Sequence, residues 1–487
     1  KFYYFILQGL KIFIYYKYMR KTKIICTIGP ASSSVKVLEE MARAGMNVAR
    51  INMSHGTQQS HQEIIDNLNF VRIAHDNPIA LMCDTKGPEI RIGKFEKGEV
   101  ILKPKKTFTL TSRDVVGNEN IVSLVYKRLV KEVKVGDKIY ANNGLVVLRV
   151  KEITETDIKC KVLFGGKLTN NKGLNIPGIV PEGDYISEAD KKDLLFAIKN
   201  NADFIAASFV SSKQDVLALR KFLADNGGKD IKIISKIENS SGIKNINEII
   251  DASDGVMVAR GDLGVEIPLE KLPSVQKKLI SKCLEQGKLV IVATEMLESM
   301  TSSVRPTRAE VSDVANAIYE KATATMLSGE TAVGKHPALV VKTMAKILVE
   351  AEKHINYNED FISSKRKVLG VSDSICKTTC QNAISVNAKL IVVFTSSGNT
   401  AHLISSNRVS TPILAITPNQ NVYNSLALSW NTIAYKNDVI SSEKEMLYFA
   451  ENTAKTLEFV RKNDIIVVTT GTPEVSGQTN MLKIIKI

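Results

Sequence analysis

Apolar residues along this chain fall into two recurring kinds of segment. Short runs dense in Ile, Val, Leu and Ala occupy 23–28, 48–53, 79–83, 204–209, 231–237, 255–259, 289–293 and 323–327, and these read as strands. Between most of them lie longer amphipathic segments such as SSVKVLEEMARAG and LEKLPSVQKKLISKCLEQG, the second closed by Gly287 as a helix C-cap would be. Eight strand-then-helix units predict an α/β fold, a (β/α)8 or TIM barrel. The rhythm breaks between Glu89 and Asp184. There, alternating runs with turn signals (KFEKGEV, KPKKTFTLT, VKVGDKIYANNGLVVLRV) predict a small all-β domain inserted after the third strand. A polar stretch, NEDFISSKRK, marks a further boundary after residue 357. Beyond it a helix near 373–387, strands KLIVVFT, TPILAIT and NTIAYK, a long amphipathic helix over 443–462, strand DIIVVTT and the closing MLKIIKI predict a separate α/β domain. The expected division is a barrel over 19–88 and 185–357, an inserted β domain over 89–184 and a C-terminal domain over 358–487.

The chemistry that this pattern positions is densest at strand ends. IKIISKIE, residues 231–238, sets Lys236 and Glu238 two positions apart, and strand residues two apart share a face. The following strand runs into RGDLG and delivers Asp262. Two carboxylates and a lysine at the carboxyl ends of neighbouring strands suggest a divalent metal with a cation beside it, a site suited to developing negative charge. The same period of two sends Arg50, Asn52 and Ser54 to one face of the second strand.

Composition narrows the classes. A chain of 487 residues, 44% hydrophobic, exceeds one ordinary core, so several domains are expected. Six scattered cysteines form no secreted framework and point to a reducing cytoplasm; the i, i+4 pair Cys376 and Cys380 has no His or second pair to complete a metal site. A formal charge of +14 without basic runs interleaved with aromatics argues against nucleic acid and for an enzyme of anionic substrates. The first eighteen residues, KFYYFILQGLKIFIYYKY, differ from the rest. They are shorter than the roughly 20 apolar residues of a membrane span, Lys11 interrupts them, and they lack a signal-peptide cleavage site. Their residue types are those that AT-rich DNA yields in any frame, so 1–18 are expected to be an upstream extension with Met19 as the start.

The ordered motifs KIICTIGPAS, NVARINMSHG, DTKGPEIR, KIEN, MVARGDLG, ATEMLESM, RPTRAEVSDVANA and MLSGETA resemble those of pyruvate kinase, over 19–487. The resemblance implies a barrel, a hinged β lid and a C-terminal regulatory domain. It also implies transfer of a phosphoryl group from phosphoenolpyruvate to ADP, a cytoplasmic homotetramer, and Mg2+ (or Mn2+) and K+ as cofactors. On this reading Glu238 and Asp262 hold magnesium, Arg50 holds the substrate phosphate and Lys236 faces the phosphoryl group and enolate oxygen. Gly261, Asp262 and Thr294 complete the substrate site, Gly261 by offering a backbone N–H and an unobstructed approach. Asn52, Ser54, Asp84 and Thr85 take potassium; Asn52, Arg91 and Lys172 serve the nucleotide. Glu89 is the residue type that accompanies potassium dependence, and Gly87-Pro88 matches the lid hinge. Proton delivery to the enolate lies between Thr294, Ser328 and a water.

Several positions depart from the family pattern: Asn142 and Asn143 for two aspartates, Asn170 and Asn171 before Lys172, Glu295 for a glutamine, and YEKAT at 319–323. In the C-terminal domain Thr395, Ser396, Ser397, Gly398, Asn399 and Thr400 follow a strand and open a helix, a geometry that favours phosphate but equally serves ordinary capping. With a glycine-bearing loop at 471–479 they form the candidate effector site, open to fructose 1,6-bisphosphate, AMP or sugar monophosphates. Two alternatives stand beside this reading. A magnesium-dependent lyase or phosphomutase would have no use for Arg91, Lys172 or the lid, and a non-catalytic metabolite sensor would be damaged at Lys236 or Glu238.

Overall fold

A computed structural model describes residues 20–75, 78–438, 442–471 and 479–487. The expected extension at 1–18 with its Met19 start, and most of the 471–479 loop, lie outside the described residues. Eight parallel strands close a barrel: β1 (Lys23–Thr27), β2 (Val48–Asn52), β3 (Ala80–Asp84), β4 (Phe204–Ala207), β5 (Lys232–Ile237), β6 (Gly255–Ala259), β7 (Leu289–Ala293) and β8 (Ala324–Leu327). Each pairs with the next, and β8 closes on β1 with Ile25 opposite Met326.

Both faces of every strand are covered, which is why the runs are almost uninterruptedly apolar. Alternate side chains divide between two cores. Ile25, Met82, Phe204, Ile234 and Met257 fill the barrel, while Ile24, Ile51, Leu81, Ile205 and Ile233 face the helices outside. The helices carry their own stop and start signals. Val35–Ala44 is capped by Ser34 accepting from Val37 N, buries Leu38, Met41 and Ala42 at i, i+3, i+4 spacing, and ends at Gly45 with φ +120°.

The chain leaves the barrel at Gly87. Its φ is +66°, and a β-carbon there would sit 2.7 Å from the Ser208 carbonyl, so the sharp exit needs glycine. It then builds a seven-stranded sheet over a separate core that includes Phe108, Ile139, Leu148 and Ile158. The C-terminal sheet has parallel strands Ile413–Thr417, Leu390–Phe394, Thr432–Lys436 and Ile465–Thr470, with Met481–Lys486 antiparallel on the last. The expected helix over 443–462 is shorter, Glu443–Thr456. Glu458 turns left-handed at φ +56° and Phe459 N returns to Ala454 O, so Phe459 and Val460 enter the sheet core. The stop uses a glutamate where glycine is the usual signal.

This domain seals the amino-terminal end of the barrel. Ala427 and Leu428, from the turn Leu426–Leu428, join the barrel's interior core. Around them Lys23 Nζ donates to Thr432 O at 2.8 Å and Arg408 Nη2 to Thr323 Oγ1 at 2.7 Å. Leu428 is fully buried. Leu428→Ala is therefore expected to lower stability by about 2–5 kcal/mol, read from urea unfolding; a loss below about 0.5 kcal/mol would contradict its role as a plug.

Candidate active site

The barrel mouth is assembled from carboxyl ends of strands, and its centre is Asp84, the last residue of β3. Arg50 on β2 donates to Asp84 Oδ2 through Nε at 2.8 Å, with Nη2 also 2.8 Å away, and donates through Nη1 to Thr27 Oγ1 at 2.8 Å. Lys236 Nζ, from β5, donates to Asp84 Oδ1 at 3.0 Å and Ser208 Oγ at 2.7 Å, and pairs with Glu238 Oε1 at 3.0 Å. All four charged groups are buried. Burial opposes the charge on Asp84, yet Arg50 and Lys236 outweigh it and hold the carboxyl below its usual range. Burial likewise opposes the Lys236 ammonium, and Asp84 with Glu238 outweighs it in turn, holding Lys236 well above the ordinary lysine range.

The two carboxylates expected to hold a divalent metal behave differently from Asp84. Glu238 follows β5, with Oε2 accepting from Phe209 N at 2.6 Å. Phe209 has φ +56°, strained for a bulky residue, and that turn aims its N–H at Glu238. Asp262 lies in the first turn of helix Arg260–Glu266, near the Asn175 side chain. Burial raises Glu238 to about 7, with Lys236 opposing and Asp262 adding to the rise. Burial also raises Asp262, against the pull of Lys236 and with Glu89 adding to the rise. Two buried carboxylates short of compensating charge fit a hard divalent ion. Among the described residues no three His, Cys, Asp or Glu side chains form a closed cage. Such a site would leave positions for substrate and water oxygens.

Two expected features take a different form. Ser54 lies beyond β2 in a turn where its N–H donates to Asn52 Oδ1 at 3.1 Å, so strand alternation stops at Asn52. Asn52 is in register with Asp84, and the Thr85 carbonyl lies 2.7 Å from Ser208 Oγ. These are mostly neutral oxygens, of the type a large monovalent cation accepts, although both Asp84 oxygens already carry cationic partners. The Gly261 N–H is also not free, since it donates to Thr294 Oγ1 at 2.8 Å, and that hydroxyl is 2.6 Å from Ala293 O. Thr294 holds φ +70°, and Arg260 supports the turn by donating to the Ala293 and Thr294 carbonyls at 3.2 and 2.6 Å. Ser328 Oγ is buried with no partner among the described residues.

Glu89 and Arg91 pair with each other where the inserted domain begins. Arg91 also reaches Asn171 O at 3.1 Å, and the Lys172 carbonyl accepts from Ile92 N. Burial raises the Glu89 carboxyl, against the pull of Arg91. The departures have local explanations. Asn142, Asn143 and Asn171 occupy left-handed backbone, which asparagine tolerates, and Asn170 Oδ1 accepts from Phe95 N at 2.7 Å. Glu295 is exposed, also in a left-handed turn. In YEKAT at 319–323, Lys321 holds left-handed backbone at φ +72° and pairs with Asp360 at 2.8 Å, and Thr323 Oγ1 accepts from Arg408 and from Val290 N. Cys376 and Cys380 pack with their thiols toward the Thr400 and Ile404 carbonyls, as core residues.

The loop of Thr395, Ser396, Ser397, Gly398, Asn399 and Thr400 lies in the C-terminal domain, apart from the mouth. Thr395 Oγ1 accepts from Gly398 N at 2.9 Å, Ser397 Oγ accepts from Asn399 N at 3.4 Å, and Thr400 Oγ1 meets Thr479 Oγ1 at 2.7 Å. Three mouth residues escape a reading of the sequence: Thr27, Ser208 and Asn175. Ser208 touches Lys236, Asp84 and Thr85, yet it sits in ASF, with only its place just past a strand to mark it.

The closed barrel and its buried cations and carboxylates define an enzyme built to gather a multiply charged anion. The chain belongs to the pyruvate kinase family. Residues 19–341 match the family's barrel domain and residues 373–485 its alpha/beta domain. Pyruvate kinase of Clostridium acetobutylicum is 43% identical over 470 residues, covering 96% of this chain and 99% of that protein. Pyruvate kinase of Staphylococcus epidermidis is 44% identical over 471 residues, covering 96% and 80%. A crystal structure of a pyruvate kinase from Cryptosporidium parvum superposes with a TM-score of 0.91 at 39% identity, covering 96% of each chain. The family is one of phosphotransferases that use a divalent metal and potassium.

Because Glu238 and Asp262 are raised, protons compete with a divalent ion for this pair. Glu238 binds its proton as pH falls through about 7, so Mn2+ affinity is expected to weaken below neutrality and level off above it. Electron paramagnetic resonance titration should show about tenfold weaker Mn2+ binding at about pH 6 than at about pH 8. Equal affinities would contradict the assigned ligands.

Proposed function

We propose that the phosphoryl group of phosphoenolpyruvate passes to ADP at this mouth, giving ATP and the enolate of pyruvate. The observation that carries this reading is the Lys236 ammonium, buried and held between Asp84 and Glu238 where several strand ends converge. The P–O bond to the enol oxygen breaks as a new one forms to a β-phosphate oxygen of ADP, and the enolate carbon then takes a proton. Phosphoryl transfer makes little covalent demand on the protein, so positioning and charge stabilisation are its work. Arg50 binds the phosphate. Lys236 lies beside both the phosphoryl group and the enolate oxygen, whose charge rises as the bond breaks.

Glu238 and Asp262 would hold the divalent ion, Mg2+ or Mn2+, which supplies neutralisation of the converging anions when bound. Asn52, Ser54, Asp84 and Thr85 would hold potassium. Asn52, Arg91 and Lys172 meet the nucleotide, and the inserted domain closes on the Gly87-Pro88 hinge to exclude water. Gly261 leaves the substrate side open, since a β-carbon there would meet nothing nearer than Thr294 at 3.7 Å. Thr294 shapes the enolate face. Ser328, whose hydroxyl has no partner among the described residues, suits proton delivery better than Thr294, whose hydroxyl is 2.6 Å from the Ala293 carbonyl.

The same reading extends to a cytoplasmic homotetramer that binds its substrates and neither nucleic acid nor membrane. Exposed Ile362, Leu369 and Val371 on the C-terminal domain suit self-association, and no described helix is long and apolar enough to cross a membrane. The 395–400 loop is the candidate effector site, fitted for a phosphate. The lyase, phosphomutase and sensor readings are not favoured, because Arg91, Lys172 and the inserted domain are all present and Lys236 and Glu238 are intact.

Lys236→Met is expected to cut turnover in a lactate dehydrogenase-coupled assay by about 10²–10³ or more with Mn2+ binding retained; a fall under about tenfold would argue against the role. Turnover should also depend on potassium. Equal rates in potassium and tetramethylammonium buffers would remove the monovalent site.

A further inference from the structure

The chain crosses between the barrel and the inserted domain twice, and hydrogen bonds mark where each crossing passes from one to the other. On the way out, Lys86 and Gly87 are still bonded to the barrel, where both N–H groups donate to Asp190 Oδ1, at 3.1 and 3.2 Å. Across Pro88, Glu89 N donates back to Gly87 O at 2.9 Å, and Ile92 N already donates to Lys172 O inside the inserted domain. On the way back, Glu182 N donates to Tyr126 Oη at 2.8 Å, again inside the inserted domain. Tyr185 Oη then donates to Ser208 O on the barrel at 2.7 Å, and Ser187 Oγ donates to Asp190 Oδ2 at 2.6 Å. Between these anchors lie Pro88 on one crossing and Gly183 with Asp184 on the other. Gly183 holds φ +131°, with open space where a β-carbon would stand.

Asp190 is shared by the two crossings, since Oδ1 takes the exit and Oδ2 the return, and the residue is only 2% exposed. It is the third residue of helix Glu188–Lys199, which Ser187 caps. An acid at that place commonly closes a capping box by accepting from the N–H of the capping residue, as Asp215 and Glu310 do on helices Lys213–Asp225 and Arg308–Tyr319. Asp190 instead reaches residues 104 and 103 positions earlier in the chain. One turn further along the same helix, Asp193 pairs with the Lys86 ammonium. The two crossings also converge on the Ser208 carbonyl, which receives Tyr185 and which a β-carbon on Gly87 would meet at 2.7 Å. A buried carboxylate accepting three hydrogen bonds resists displacement, because each donor would be left unpaired.

We propose that Asp190 is a positioning residue: its one carboxyl clamps both crossings to the barrel and so fixes the pivot of the inserted domain at Pro88 and at Gly183–Asp184. The hinge is then two-stranded, with a rigid barrel side and its freedom confined to these short segments. Asp190 acts through the pivot, by setting where the inserted domain delivers Arg91 and Lys172. Simple helix capping would need only Ser187, and simple packing any residue of similar volume. The clamp instead requires an acceptor oxygen that reaches Lys86 N and Gly87 N. Asparagine keeps that oxygen and turns its amide toward Ser187 Oγ, whereas alanine has none and serine falls short.

The kinetic half of the test rests on the pyruvate kinase reading, and the distance half does not. The six native cysteines are buried, so nitroxide labels can be directed to Glu119→Cys on the inserted domain and Lys229→Cys on the barrel, both exposed positions. Pulsed electron paramagnetic resonance on the full chain should show a distance distribution about twofold wider in Asp190→Ala than in the parent, and near the parent width in Asp190→Asn. In the coupled assay Asp190→Ala should raise KM for ADP about tenfold while KM for phosphoenolpyruvate stays within about threefold, with Asp190→Asn close to the parent in both. A role confined to capping or packing would lower the melting temperature with width and KM unchanged, and that result would overturn the clamp. So would an asparagine variant as loose as alanine. If the alanine variant does not fold, Asp190→Ser against Asp190→Asn carries the same comparison. Absence of turnover in the parent would overturn the assigned reaction while the label distances still decided the clamp.

Discussion

Asp84 is the fixed point of this molecule. A carboxylate removed from water at the end of a buried strand is tolerated only with its charge compensated, and here Arg50 and Lys236 compensate it from opposite sides. Each cation is in turn stabilised by the anion, so the three groups hold one another in their charged forms without solvent. The result is a pair of cations held in place by a shared carboxylate, the kind of preorganised charge that electrostatic stabilisation of an anion calls for. Glu238 and Asp262 lie just outside this balance, and with too little positive charge nearby both are raised. The mouth therefore contains a charge-compensated centre beside an under-compensated pair of acids.

The surroundings follow from this arrangement. At the open end of the barrel, helix Arg260–Glu266 both delivers Asp262 and packs against the inserted domain at Gly144, so the two share one support. At the other end, Leu428 and Ala427 complete the barrel's interior core from the C-terminal domain. The barrel is consequently filled from below and covered from above. The C-terminal domain thus meets the barrel interior through packed apolar side chains, whereas the inserted domain meets the mouth beside helix Arg260–Glu266.

Much of this was legible in the chain. Eight apolar runs at regular spacing, interrupted by an alternating segment, determined the barrel and its insertion, because strands buried on both faces and strands buried on one leave different patterns. The motifs around Lys236, Glu238, Asp262, Arg50 and Asp84 determined which residues meet, because strand ends of a closed barrel converge on one mouth. The loss at Glu458 is equally instructive. A left-handed helix stop is normally announced by glycine, and here tertiary burial of Phe459 and Val460 imposes it on a glutamate.

Only the tertiary structure decided the partners. Ser208 lies in no motif and Thr27 carries no assigned role within its own, KIICTIGPAS; they matter because folding sets them against Lys236 and Arg50. The Gly261 N–H belongs to Thr294 and not to an open site, since the left-handed turn at Thr294 brings the hydroxyl within reach. The sequence by itself determined the elements and the charged residues at their ends, since those depend on local periodicity and chain direction. Which oxygen each donor meets depends on loop backbone and domain seating, and neither has a local code.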